Sequence, residues 1–278
     1  MSENPSSSRP ISPLSVGDVV SAGVRIYRDH FKLYYGLAFT GYLWILIPVY
    51  GWAKFSAISG LLSRLAFCEL IERPETVDDA RRHVMPRMWS FLGAGFLSGL
   101  IISGVVIGAV LAFGILGGVL AAILGQSLEA TIILGLLGLI AVIVLILLYL
   151  WIVSRLFIVE VPLAVEDNVD ATSAISRSWK LIKGSVLRLI LVVTVAFLIS
   201  LPITIVVQII SIIIQGVLTA LLPTDSPIFF LLYYVLILGL SFASGALLIP
   251  FWQAIKAVVY CDLRSRREGL GLEIRDSR

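Results

Sequence analysis

The chain reads as an all-α integral membrane protein, a helical bundle of four to six transmembrane helices with three interfacial amphipathic helices. Three observations predict this. The 278 residues are 59% hydrophobic and 14% charged, where a soluble domain holds about half and about a quarter. Mean hydropathy is +1.01. All 21 Lys and Arg fall within residues 9–32, 54–87, 155–188 and 256–278. The long apolar stretches between the last three blocks are each broken once, near Gly125-Gln126-Ser127-Leu128-Glu129 and Pro223-Thr224-Asp225-Ser226-Pro227. Neither break holds a basic residue, and both hold an acid. Basic residues beside membrane segments are retained on the cytoplasmic side, so both termini and all four blocks are expected inside.

Residues 1–13 are Ser- and Pro-rich without an apolar core or a small-residue cleavage site. They read as a disordered tail rather than a signal peptide. Residues 14–265 form a single membrane domain, and 266–278 a cytoplasmic tail. The first interfacial helix covers 15–33. Val16, Val19, Val20, Gly23, Tyr27, Phe31 and Tyr34 follow helical spacing on one face, with Asp18, Ser21, Arg25, Arg28 and Lys32 on the other.

The apolar region after it cannot be one span. That would carry Lys54, Arg64, Arg73, Arg81, Arg82 and Arg87 to the outer face. Pro48-Val49-Tyr50-Gly51 interrupts it, so arms at 34–47 and 52–72 are expected to form a hairpin. Both arms are short, and two true spans or one re-entrant hairpin fit equally. Interfacial helices at 76–85 and 168–183 then precede membrane segments 88–124, 129–161, 185–222 and 227–260. These four exceed the roughly 20 residues a span requires, which implies tilt or projection past the headgroups.

The three interfacial segments open alike, at Ser15-Val16-Gly17-Asp18, Thr76-Val77-Asp78-Asp79 and Asp167-Asn168-Val169-Asp170. Each offers a side-chain oxygen at a helix start and an acid three residues on. The pattern is a pseudo-repeat of surface helix plus hairpin, with basic faces toward anionic headgroups of the bilayer.

Small residues recur every fourth position at Gly95, Gly99 and Ser103, at Gly104, Gly108 and Ala112, and at Gly114, Gly118 and Ala122. They suggest a packing face within the bundle, with a dimer interface as the second reading. Pro202 and Pro250 should kink their helices.

Ionisable and polar groups in apolar segments supply the candidates for function: Arg155, Glu160, Gln208, Gln253, Lys256, Asp262 and Arg264. The charged ones lie near the cytoplasmic ends of their segments, where anchoring and ion pairing are the plain alternative. Gln208, Gln215 and Gln253 could line a substrate path or join helices by hydrogen bonds. Arg64 and Glu69 stand together on the doubtful hairpin arm. No charge falls mid-bilayer in the four long segments, which argues against a proton relay.

Cys68, Cys261, His30 and His83 are scattered and make no metal site. Nothing in the sequence calls for a cofactor, and no basic-aromatic motif points to nucleic acid. No phosphate loop, Ser–His–Asp set or buried carboxylate pair is visible.

Two short blocks carry a resemblance. Ala174-Ile175-Ser176-Arg177-Ser178-Trp179-Lys180-Leu181-Ile182-Lys183-Gly184 and Tyr260-Cys261-Asp262-Leu263-Arg264-Ser265-Arg266-Arg267-Glu268-Gly269, with the opening Pro13-Leu14-Ser15-Val16-Gly17-Asp18, resemble the bacterial and archaeal glycerophosphoryl diester phosphodiesterase membrane-domain group and its stand-alone members. Ile47-Pro48-Val49-Tyr50-Gly51-Trp52-Ala53-Lys54 is similar to cyanobacterial members. The group's usual Asp two residues after the tail Gly is Gly271 here, so no role passes to that position.

The resemblance implies a membrane domain whose phosphodiesterase chemistry resides in a separate soluble barrel, which this chain is too short to hold. The expected function is therefore a non-enzymatic membrane protein, an accessory or organising subunit with a membrane-protein partner or a second copy. A transporter or exporter of a small or amphipathic solute is the second reading, and a lipid-processing enzyme the third. The expected location is the bacterial cytoplasmic membrane, or the thylakoid membrane in a cyanobacterium.

Overall fold

The computed structural model describes residues 15–125 and 127–268. The leader 1–13, Gln126 and the tail from Gly269 through Gly271 to Arg278 lie outside the described residues. Every described element is a helix: α1 (Val16–Asp29), α2 (Phe31–Ile45), α3 (Tyr50–Leu70), α4 (Val77–Val84), a 3₁₀ turn (Met85–Arg87), α5 (Met88–Leu124), α6 (Leu128–Leu156), α7 (Glu160–Val165), α8 (Ala171–Ile182), α9 (Val186–Leu221) and α10 (Pro227–Glu268). Four of the helices are long and apolar enough to cross a membrane.

Those four carry two hairpins, α5 with α6 and α9 with α10, which touch each other through α6 and α9. Their far halves hold few buried side chains. Ile115, Ile123, Leu128, Leu139, Leu147, Leu221 and Leu231 all stand exposed. Their near halves converge with the shorter helices on one core, in which Leu61, Phe91, Ile152, Leu163, Leu181, Ile255 and Tyr260 are buried. At 1.5 Å per residue α5 is about 55 Å long. Only the part nearest the core is packed within the chain.

Capping explains where the short helices begin. Ser15 and Asp18 form a reciprocal capping box on α1, and the Thr76 hydroxyl accepts from the Asp79 amide at 3.2 Å on α4. The third cap differs from the expected position. Asn168 adopts φ 56, a left-handed conformation that cannot continue a helix. Asp170 and Ser173 close the capping box instead, so α8 starts at Ala171.

Other boundaries moved for equally local reasons. The chain breaks at His30, so Phe31–Tyr34 belong to α2 rather than to the helix before it. Segment 129–161 ends as α6 at Leu156, and α7 carries the chain on with Pro162 at its third residue, where a proline costs no helical hydrogen bond. Residues 266–268, expected in a tail, continue α10 instead. The pairs Arg266–Asp262 and Arg264–Glu268 brace that last turn across i,i+4.

α1 and α2 run antiparallel along α10. Gly23 meets Ile255, Tyr27 meets Phe251 at 6.4 Å between ring centroids, and Tyr42 meets Phe242 at 5.4 Å. A Cβ on Gly23 would lie 2.5 Å from Ile255 Cδ1, so only Gly lets α1 seat this closely. The apolar face of α1, with Val19, Val20 and Ile26, is thereby buried in protein. Ala174, Leu181 and Ile182 of α8 are buried in the same way. Arg25 and Arg28 of α1 and Lys180 of α8 stay exposed, whereas Arg177 of α8 turns inward to Glu166.

The doubtful hairpin arm 52–72 became α3, the helix with the longest buried run, from Ala57 to Phe67 apart from half-exposed Arg64. Gly60 leaves room for the Phe91 ring of α5, 2.2 Å from where a Cβ would stand. The α2–α3 turn is tight. Val49 sits at φ 61, rare for a β-branched residue, and Lys54 lies over the Trp44 ring, 3.6 Å from its centroid.

Candidate functional site: an ionic clasp around α7

α7 is six residues long, and basic side chains from three other elements close on its end. The last carbonyls of a helix have no partner within it and carry partial negative charge. Arg64 of α3 donates from Nη1 to Ala164 O at 2.9 Å. Arg87, in the 3₁₀ turn, donates from Nη1 to Glu166 O at 2.7 Å and Leu163 O at 3.3 Å. Arg64 also grips the Glu75 carboxylate through Nε at 2.7 Å and Nη2 at 3.0 Å, a two-pronged contact with orientation as well as charge.

Two carboxylates organise the clasp. Glu160 Oε2 accepts from Lys256 Nζ at 2.9 Å and from Gln253 Nε2 at 2.7 Å. Gln253 is itself buried, and its Oε1 accepts from the Ser63 hydroxyl at 2.6 Å. One chain of contacts thus ties α3, α10 and α7. Glu166 Oε1 accepts from Arg177 Nε at 3.0 Å and from the Tyr260 hydroxyl, joining α8 and α10 to the end of α7.

Two further contact sets tie α9 to α10 and α6 to α8. Asp262 is 5% exposed, and its Oδ2 takes Arg188 at 2.6 Å and Arg266 at 3.0 Å. Arg155 donates from Nη1 to Trp179 O at 3.0 Å and lies between the Trp151 and Trp179 rings, 5.4 and 5.2 Å from their centroids. The Ser178 hydroxyl returns a bond to Arg155 O at 2.8 Å.

Charge states follow this geometry. Arg177 is held more firmly protonated than a free guanidinium, first by its bond to Glu268 and then by Glu166, against the opposing effect of burial. Asp18 and Asp170 lie below the ordinary carboxylate range because the cap partners Ser15 and Ser173 donate to their ionised forms. Glu160, Glu166 and Asp262 each accept from at least two donors. A carboxylate so engaged holds helices together and has little lone-pair capacity left for taking a proton from a substrate.

Residues 35–263 match the family described as Domain of unknown function (DUF7847). The chain belongs to that family. No curated protein and no solved structure matches it. The family region runs from α2 to near the end of α10. It takes in Arg64, Arg87, Glu160, Glu166, Arg177, Tyr260 and Asp262, and stops before Arg264 and Glu268.

The sequence candidates are dispersed. Glu160, Gln253 and Lys256 come together. Arg155 does not join Glu160, five residues away, but turns to α8. Asp262 and Glu160 belong to separate contact sets and share no pocket. Arg264 pairs with Glu268 at 3.1 Å, and Arg64 turns to Glu75 rather than Glu69. Gln208 and Gln215 are exposed on α9. The faces at Gly95, Gly99, Gly104, Gly108, Gly114 and Gly118, expected to pack inside the bundle, have nothing within 4 Å of an added Cβ. Among the described residues they stand uncovered.

Sequence reasoning missed Ser63, Glu75, Arg87, Glu166, Arg188 and Tyr260 as partners. For Arg177 and Tyr260 a signal existed. The two motif blocks that hold them meet in space at Glu166, and Arg177 also reaches Glu268 of the second block. Among the described residues no group of three or more His, Cys, Asp and Glu is placed to hold a metal ion.

Proposed function

We propose that the chain is a non-enzymatic integral membrane protein of the cytoplasmic membrane, an organising or accessory subunit that presents its clasp at the cytoplasmic face. Counting roughly 20 residues inward from each outer turn puts the inner edge of the hydrocarbon near Gly104 and Leu148 on one hairpin. On the other it falls near Pro202 and Leu247. Tyr149, Trp151 and Trp252 fall around that edge, where aromatic side chains favour the interface. Tyr42, in the last turn of α2, meets Phe242 beyond that edge, and the α2–α3 tip ends inside the hydrocarbon as a re-entrant hairpin. α1, α4 and α8 lie at the headgroups with their basic faces outward.

One observation carries the organising reading. The charged groups of the clasp are engaged with one another, while the small-residue face of α5 has no partner among the described residues. A face of that kind lets another helix approach closely. Purification from native membrane in mild detergent tests it. A stoichiometric membrane protein or a second copy is expected with the chain. A lone monomer at every detergent concentration would sink the reading.

A transporter remains the second reading, favoured by one cleft between α2 and α9. Its lining is apolar, which suits an amphipathic solute and not a small polar one. Uptake of a labelled amphiphile by vesicles holding the purified chain is the test, and no uptake above empty vesicles rejects it.

A further inference from the structure

The cleft between α2 and α9 plays no part in the clasp. Its volume is ≈ 530 Å³, with Phe31 and Tyr35 on one wall, Pro202 and Val206 on the other, and Leu240 and Ser244 at the base. α9 packs against α1, and Pro202, inside α9, faces the cleft and leaves one helical hydrogen bond unmade there. The Ser244 hydroxyl is already bonded to Ser241 O at 3.1 Å. The cleft therefore presents hydrocarbon along its length.

Its cytoplasmic end is cationic. Tyr27, Phe31, Tyr35 and Phe39 stack at four-residue intervals with centroids 5.5, 5.9 and 6.1 Å apart. Arg28 and Lys32 follow the first two of these rings in sequence, and helical spacing puts both on the flank of that aromatic row. The Arg28 side chain is 76% exposed and meets the neighbouring Asp29 at 3.4 Å. Arg25 and Lys32 are exposed, and among the described residues neither has a carboxylate partner. An apolar slot beside exposed cations, of which only Arg28 meets a carboxylate among the described residues, matches one chemistry, an acyl chain ending in an anionic headgroup.

The geometry points to a binding site for one anionic phospholipid of the cytoplasmic leaflet, its acyl chain in the cleft and its phosphate against Arg28 and Lys32. The inference rests on the membrane placement proposed above, because that placement brings Lys32 level with the headgroups. The clasp and the lipid site occupy opposite flanks of α10, so each can be altered while the other stays intact.

The test is retention of lipid by the delipidated full chain in detergent. It is titrated with phosphatidylglycerol or with phosphatidylcholine of the same chain length and read by native mass spectrometry. Phosphatidylglycerol is expected to bind about ten-fold tighter. The surface variant R28Q/K32Q, which leaves packing untouched, is expected to lose about five-fold per charge removed and to erase the preference. V206W, filling the cleft, is expected to abolish retention of both lipids while its unfolding temperature stays near that of the native chain.

Equal retention of the two lipids by the native chain overturns the site. So does unchanged retention by R28Q/K32Q, or a concentration-dependent dimer that V206W abolishes, which would mean a second copy occupies the cleft. If V206W unfolds, the charge variant still decides. Failure of the membrane placement itself would show differently, as a chain that stays in solution without detergent.

Discussion

Arg177 and Tyr260 converge on one oxygen of Glu166, the first donating from Nε at 3.0 Å and the second from its hydroxyl. They come from two sequence blocks more than eighty positions apart, and neither block holds Glu166. The carboxylate therefore joins the end of α7 to α8 and α10 at once. Removing it takes the acceptor from buried Tyr260 and one of two carboxylates from Arg177, whereas removing one donor leaves the other in place.

Glu166→Leu is expected to destabilise the chain by about 2–3 kcal/mol, because it leaves the buried Tyr260 hydroxyl without its acceptor and Arg177 with Glu268 alone. Tyr260→Phe should cost about 1 kcal/mol, since it deletes one hydrogen bond and leaves Arg177 in place. Thermal unfolding in detergent, followed by Trp179 fluorescence, gives the order. Equal losses from both variants would mean that Glu166 is not the shared acceptor.

The Glu160–Lys256 pair is best tested as a cycle. Glu160→Gln keeps an acceptor for Gln253 but removes the charge, and Lys256→Met removes the cation while keeping its stem. The two changes should be strongly non-additive, with a coupling of about 0.5–3 kcal/mol, because each single variant leaves one charge unpaired. Additive losses in unfolding temperature would show that the 2.9 Å contact contributes nothing.

The membrane-competent helices and two of the three caps were legible in the sequence, for a physical reason. Lipid tolerates no break in an apolar run, and a cap is written within four residues. The partners of the clasp were not legible. Glu160 and Lys256 are 96 positions apart, and their meeting depends on how α7 turns back after Leu156.

α3 was underrated because it is short and carries Arg64. Its Ala53, Ala57, Ser59, Gly60 and Ser63, the sign of close packing, weighed less than that charge. The glycines at fourth positions on α5 were overread for the opposite reason. Spacing alone cannot tell a face that packs from one that is merely smooth.

That contrast is itself testable. Gly23→Leu drives a side chain into Ile255 and should cost about 1–3 kcal/mol through overpacking. Gly104→Ala meets nothing among the described residues and should leave the monomer as stable or raise its stability by up to about 1 kcal/mol through helix propensity. Unfolding temperatures separate the two. A loss of stability in Gly104→Ala that grows as the protein is concentrated would place a second copy on this face.

Acid should loosen the helix starts before the core. Asp18 and Asp170 have folded-state values below the ordinary 3.8. The stability they contribute is present above the unfolded value and is lost as pH falls through the lowered ones. Between neutral pH and about pH 5 the starts of α1 and α8 should therefore be constant, and below about pH 4 they should fray. Amide exchange at Ser173 reads this directly. Asp170→Asn should flatten the acid limb, and an acid limb unchanged in that variant would refute the assignment.

Sidedness is settled by single cysteines in a background lacking Cys68 and Cys261. Ser127→Cys and Asp225→Cys should react with a membrane-impermeant maleimide added outside intact cells, because the proposed orientation puts both turns outside. Tyr50→Cys should resist the reagent from either side, because the proposed placement ends the α2–α3 tip inside the hydrocarbon. Two full crossings at 34–72 would instead expose position 50 to the outside. Labelling of position 225 only after the cells are opened would invert the whole arrangement. It would also remove the headgroup level on which the basic faces of α1 and α8 and the cations beside Phe31 depend.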